Sequence, residues 1–232
     1  MSNEKPGKIE TVVVCYTQTT FDELEKRPEN IEELEPSEFE DEAVRQSRLI
    51  STLAEKLVAA LTAAGVTAEI IRLPQRSFNP RDISKAAFAW RIMDLTESNG
   101  RSIDMALCLD FPSWSLQHPR KCVWLTSLPN FVIRGKLAMP IQPAGQPGSP
   151  LSAKVSNSQE KLQAENARAV SGLLQSERRG LAEAYRLLAG NRPLAEEMAR
   201  RGLQVEFNPF PADLNSDPSG PEWQATMKRL LK

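Results

Sequence analysis

The chain is poor in the side chains that usually build metal and redox centres. His118 is its only histidine, and its three cysteines, Cys15, Cys108 and Cys122, lie inside apolar runs without CxxC spacing. That pattern argues against a zinc site and against a disulfide framework, and it makes the thiols small core residues. One histidine cannot serve both a metal and a catalytic triad. Eleven glycines are present, yet no GxGxxG or GxxxxGK(S/T) follows the first apolar run and there is no GxSxG. A dinucleotide cradle, a P-loop and a serine elbow therefore have no support. No apolar run approaches the roughly 20 residues of a membrane span. The opening MSNEKPGKIE has no signal-peptide core, so the expectation is a cytoplasmic chain with no membrane span.

What is present reads as an ordinary globular α/β chain, 41% hydrophobic and 25% charged over 232 residues. The net charge of −1 is unevenly distributed. Residues 22–42 hold eleven carboxylates against two bases, have no apolar periodicity and contain Pro28 and Pro36. They read as an acidic, solvated, flexible insertion, or as a plug over a basic cleft of the same chain. The carboxylates lack the Asp-x-Asp-x-Asp-Gly order of a calcium loop.

The apolar, β-branched run IETVVVCYT (9–17) predicts a strand buried on both faces. Residues 41–65 place Val44, Leu49, Leu53, Leu57, Val58 and Leu61 at helical spacing and stop at Gly65. A strand follows over 66–74, then a helix over 79–100 opened by Pro80 and ended by Gly100. Strands over 103–111 and 121–128 flank a proline-bounded knuckle. Residues 129–157, rich in Pro, Gly and Ser, read as a long loop within one domain spanning 1–232. Beyond it the pattern predicts a helix over 158–180, a short strand within 181–190, a helix over 192–202 opened by Pro193, a strand over 203–211 and an amphipathic helix over 220–232. GNRP at 190–193, just before a helix, offers backbone amides to an anion, a weak signal taken alone. This alternation predicts a Rossmann-like, doubly wound parallel sheet with helices on both faces and ligands at the carboxyl ends of the strands. The knuckle at 110–120 is expected at one of those ends.

Within the knuckle, His118 acts as a base only if a carboxylate orients it, and Asp110 is the one acid nearby in sequence. Otherwise the His-Pro pair is a turn whose ring binds backbone. Asp110, at a strand end, suits a substrate hydroxyl. Arg120 and Lys121 read either as a phosphate pair or as a solvated turn. Trp124 lies inside a strand and reads as core, whereas Trp114 either stacks on a sugar face or caps the sheet.

The segment AFAWRIMDLTESNGRSIDMALCLDFPSWSLQHPRKCVWLTSLPNF resembles the N-terminal domain of bacterial family-4 glycosyltransferases, in which a strand leads through an FPxxxxxHPRKxxWL knuckle into the next. Asp104, Phe111, Pro112, His118, Pro119, Arg120, Lys121, Trp124 and Leu125 occupy that pattern. The later EAYRLLAGNRPLAEEMARRGLQVEFNPFP is similar to the strand, helix and strand that lead to the family's hinge, so the likeness runs from about residue 66 to 211. It implies one acceptor-side half of a GT-B architecture, two Rossmann-like domains facing across a cleft. Three departures stand out. The E-x7-E motif of the donor domain is missing, apart from a chance spacing of Glu25 and Glu33 in the acidic run. The glycine-rich loop after the first strand is replaced by TQTTFDELEKRPENIEELEP. The usual His-Gln pair after the WL is replaced by Thr126 and Ser127.

Two functions follow as expectations. One is the acceptor-binding half of a split glycosyltransferase, active only with a separate donor-domain chain, which alone would bring the nucleotide sugar. The other is a catalytically inactive carbohydrate- or protein-binding module derived from that domain. In either case Asp110, Trp114, His118 and Arg120 are the residues expected to meet a glycan or small-molecule acceptor. No metal, bound cofactor or nucleic-acid partner is expected in this chain.

Overall fold

The computed structural model describes residues 8–19, 38–128 and 167–232. Its core is a six-stranded parallel sheet formed by β1 (Thr11–Thr19), β2 (Thr67–Gln75), β5 (Met105–Cys108), β6 (Lys121–Leu125), β7 (Arg186–Ala189) and β8 (Glu206–Phe207). They lie in the order β2-β1-β5-β6-β7-β8, every neighbouring pair parallel. The Rossmann-like doubly wound fold expected from the alternation of strands and helices is therefore present. Topology reverses between β1 and β5, because β2 is laid down on one side of β1 and the later strands of this sheet on the other.

The continuous apolar runs explain the burial on both faces. Along β1, Val12, Val14 and Tyr16 enter one core and Val13 and Cys15 the other, the period-two alternation of a strand. The first core is closed by α1 (Glu38–Ala63) through Ile50, Leu53, Leu57 and Leu61, and by α5 (Pro221–Leu230) through Trp223, Met227 and Leu230. The second is closed by α2 (Pro80–Ile92) through Trp90, by α3 (167–182) through Leu181 and by α4 (Arg192–Arg200) through Leu194 and Met198. All three cysteines are free and buried. Trp124 is core, its ring stacked 4.6 Å from that of Phe210 and its Nε1 donating to Asn208 O at 3.1 Å. Gly190 ends β7 beneath the same Phe210 ring, where a Cβ would stand 2.0 Å from a ring carbon, so only hydrogen fits.

The helix expected over 79–100 stops at Ile92. Asn79 caps its start by accepting from Asp82 N at 2.9 Å. Beyond its end, residues 97–102 form a small antiparallel hairpin, β3 (Glu97–Ser98) with β4 (Arg101–Ser102). Asn99 (φ 51°) and Gly100 (φ 74°) both adopt positive φ. Asn-Gly supplies the pair that a tight hairpin turn needs, so Gly100 sits in a turn and does not end a helix. Elsewhere the differences are at boundaries: α3 runs on to 182, and β8 is two residues long. Of the acidic run 22–42, residues 38–42 belong to α1 and the rest lies outside the described residues, as does the whole of the loop 129–157.

Candidate functional site

Parallel α/β sheets bind ligands outside the carboxyl ends of their strands at the topological switch point, where two connections leave in opposite directions. In this chain that point is the carboxyl end of the β1/β5 pair, and Asp110 follows β5 there. Both its carboxylate oxygens lie 3.1 Å from Thr17 N on β1. The Thr17 hydroxyl oxygen accepts from Trp90 Nε1 at 3.0 Å, so α2 fixes the strand end that fixes the carboxylate. Ser113 Oγ and Trp114 N both donate to the Asp110 carbonyl, at 2.6 and 3.2 Å, and shape the first turn of the knuckle. Burial lifts the Asp110 carboxyl to about 7, against the opposing pull of its Ser113 and Thr17 donors. Near neutrality the group is therefore divided between acid and carboxylate, able to donate or accept one hydrogen bond.

Beside it, Thr126 takes the position after β6. Its hydroxyl donates to Leu109 O at 3.2 Å and lies 3.2 Å from Gln46 Nε2 of α1, which donates to it. The carboxyl edge thus carries two polar pairs, Thr17 with Asp110 and Thr126 with Gln46, the second anchored to the Leu109 carbonyl just ahead of Asp110.

The other three residues read from the knuckle are placed differently. The connector does not stay at the carboxyl edge; it crosses to the amino edge to begin β6. His118 lies at that opposite edge, where its Nε2 donates to Ile103 O at 3.1 Å and its Nδ1 accepts from Arg120 N at 3.1 Å. Both ring nitrogens are thereby engaged by backbone, and burial pulls the imidazole below its ordinary pKa. Asp110 does not orient His118, because β5 stands between them. Trp114 is 2% exposed and packs in the second core against Phe111, ring centroids 6.1 Å apart. It caps the sheet and offers no face to a sugar. Arg120 is half-buried beside His118, away from Asp110.

Lys121 is not part of a solvated pair. It is 1% exposed, and its Nζ donates to Trp114 O at 2.9 Å and Leu116 O at 3.0 Å, tying the knuckle to the start of β6. Glu183 Oε2 lies 4.0 Å from that ammonium, and burial lowers the lysine's pKa. Arg91 grips Glu183 through Nη1 and Nη2, and Arg179 Nε adds a third bond at 2.8 Å. These donors hold the Glu183 carboxyl at about 2.

Thr17 and Thr126 carry no motif of their own. Their position just inside the carboxyl ends of two apolar runs was the available signal, and it needs strand order to become a site. Among the described residues no group of three or more His, Cys, Asp or Glu side chains is placed to hold a metal ion, and no helix is long and apolar enough to cross a membrane.

The fold defines the class, a Rossmann-like α/β protein. Compared with known proteins, the chain matches no family model, no curated protein and no solved structure.

Proposed function

We propose that this domain is the acceptor-binding half of a family-4-like glycosyltransferase, working with a donor-domain chain that brings the nucleotide sugar. The observation that carries the proposal is the position of Asp110: a carboxyl at the topological switch, held against β1 by Thr17 and divided between its two protonation states near neutral pH. Such a group suits a sugar hydroxyl, which both donates and accepts. The motif likeness over residues 66–211 supports the same reading, since it belongs to an acceptor-side domain. Thr126 stands where the family has a histidine; its hydroxyl donates to Leu109 O and accepts from Gln46, which leaves one lone pair for an acceptor hydroxyl.

A second reading, a carbohydrate- or protein-binding or regulatory module without turnover, is favoured by the engagement of both His118 nitrogens and the burial of Trp114. Neither side chain is left to work on a bound acceptor.

The two readings separate in one assay. The chain is mixed with a donor-domain chain recovered from the same cells, a radiolabelled nucleotide sugar and a panel of mono- and disaccharide acceptors. Transfer that requires both chains and falls at least tenfold in Asp110→Ala supports the first reading. Acceptor binding without transfer supports the second, and neither binding nor transfer removes both.

A further inference from the structure

A cleft of about 850 Å³ opens at the amino edge of the sheet, away from Asp110. We propose that it binds the carboxylate of a small organic acid. Its wall carries two cations, Arg91 and Lys121, beside the Glu183 carboxylate, which Arg179 also binds from outside the lining. Arg91 and Arg179 share Glu183, and the buried Lys121 ammonium stands 4.0 Å from it, too far for a hydrogen bond. Lys121 places two of its three hydrogens on Trp114 O and Leu116 O. The third has no acceptor within hydrogen-bond distance among the described residues, although an ammonium at 1% exposure is costly to leave incompletely bonded.

Arg91 and Lys121 both border the cleft. An anionic oxygen entering there meets the remaining guanidinium hydrogens of Arg91, with the incompletely bonded Lys121 ammonium behind them adding positive charge. Ile92, Met93, Leu116 and Pro119 line the same space and give it an apolar wall. The volume falls in the range of small-molecule sites, about 300–1,000 Å³. Asp94, the other carboxylate bordering the cleft, is occupied by Thr96, whose N and Oγ1 donate to its Oδ1 at 2.9 and 2.7 Å. It opposes an incoming anion by charge without blocking it. A charged head over Arg91 with an apolar body on Ile92 describes an organic acid better than inorganic phosphate.

The test is a titration of the full chain with benzoate, followed through the backbone amide resonances of Thr96, Gln117 and Lys121. The expected result is saturable shifts at those amides with a dissociation constant of about 1 mM. Asp94→Asn keeps the oxygen that Thr96 needs and removes the opposing charge, so it should tighten binding about threefold. Ile92→Glu, at a position 68% exposed and so tolerant of substitution, should weaken binding about tenfold. The proposal is overturned by shifts that do not saturate, by equal affinity in wild type and both variants, or by inorganic phosphate binding as tightly as benzoate. Because the cleft lies at the opposite edge from Asp110, none of these results bears on acceptor binding there.

Discussion

Asp110 and His118, eight residues apart, stand at opposite edges of the sheet: Asp110 receives the Thr17 amide beyond the end of β5, while His118 donates to Ile103 O ahead of the start of β5. The knuckle between them therefore joins two different environments. One end is a half-open polar edge and the other a backbone-bonded anchor.

Asp110 carries a pH signature. Its folded pKa, about 7, is raised from the ordinary 3.8 by burial, so folding favours the protonated form. Stability from this group is fully present below about pH 4 and is lost as pH rises through 7. Asp110→Asn keeps an acceptor for Thr17 N without the charge. Thermal melts from pH 4 to 8 should show the variant gaining on wild type as pH rises, with the difference levelling off above about pH 7. Parallel curves would contradict the assignment.

His118 is expected to matter for stability and not for acceptor binding. Removing its ring leaves Ile103 O and Arg120 N to find other partners, a cost of about 1–3 kcal/mol. Urea unfolding of His118→Ala should register that loss, while glycan affinity measured on the folded variant should equal that of wild type. A binding defect in a variant of unchanged stability would return His118 to the site.

Lys121→Met retains much of the side-chain volume but removes the donor to Trp114 O and Leu116 O. Two buried carbonyls lose their partner, and the expected destabilisation is about 2–4 kcal/mol by chemical denaturation. A neutral result would mean that the ammonium is not the clasp of the knuckle.

Glu183 titrates in the opposite sense from Asp110. Its folded pKa, about 2, lies below the ordinary 4.5 because Arg91 and Arg179 bind it. The stability it gives is present above about pH 4.5 and is lost as pH falls towards 2. Glu183→Gln should be less stable than wild type at pH 7, and the gap should close on acidification. Melts that keep a constant gap down to pH 2 would contradict this role.

Much of the architecture is legible in the residues. The runs at 9–17, 103–111 and 121–128 are largely continuous and apolar because β1, β5 and β6 are covered on both faces, whereas the run at 66–74 admits Glu69 and Arg72 because β2 is the edge strand and half exposed, and the helices between them carry one apolar stripe each. Asn99-Gly100 shows where periodicity misleads: glycine after a helical pattern reads as a stop, but the preceding asparagine makes a turn. The placement of the candidate residues was half legible. Asp110 could be placed at a strand end from sequence alone, since it directly follows a buried apolar run, but the burial of its carboxyl against Thr17 could not. His118, Trp114 and Lys121 could not be sorted, because nothing in a linear pattern tells where a connector crosses from one edge of a sheet to the other. Lys121 in particular is polar in type but buried, and only the carbonyls of Trp114 and Leu116 explain it.

The central claim is that acceptors bind at the carboxyl edge of the β1/β5 switch. The most direct measurement is amide-shift mapping of the full chain on addition of the best-binding saccharide from the panel. Saturable shifts centred on Thr17, Asp110 and Thr126, abolished in Asp110→Ala, are the predicted result. Shifts that cluster on Ile103, His118 and Arg120 and leave Thr17 unmoved would contradict it.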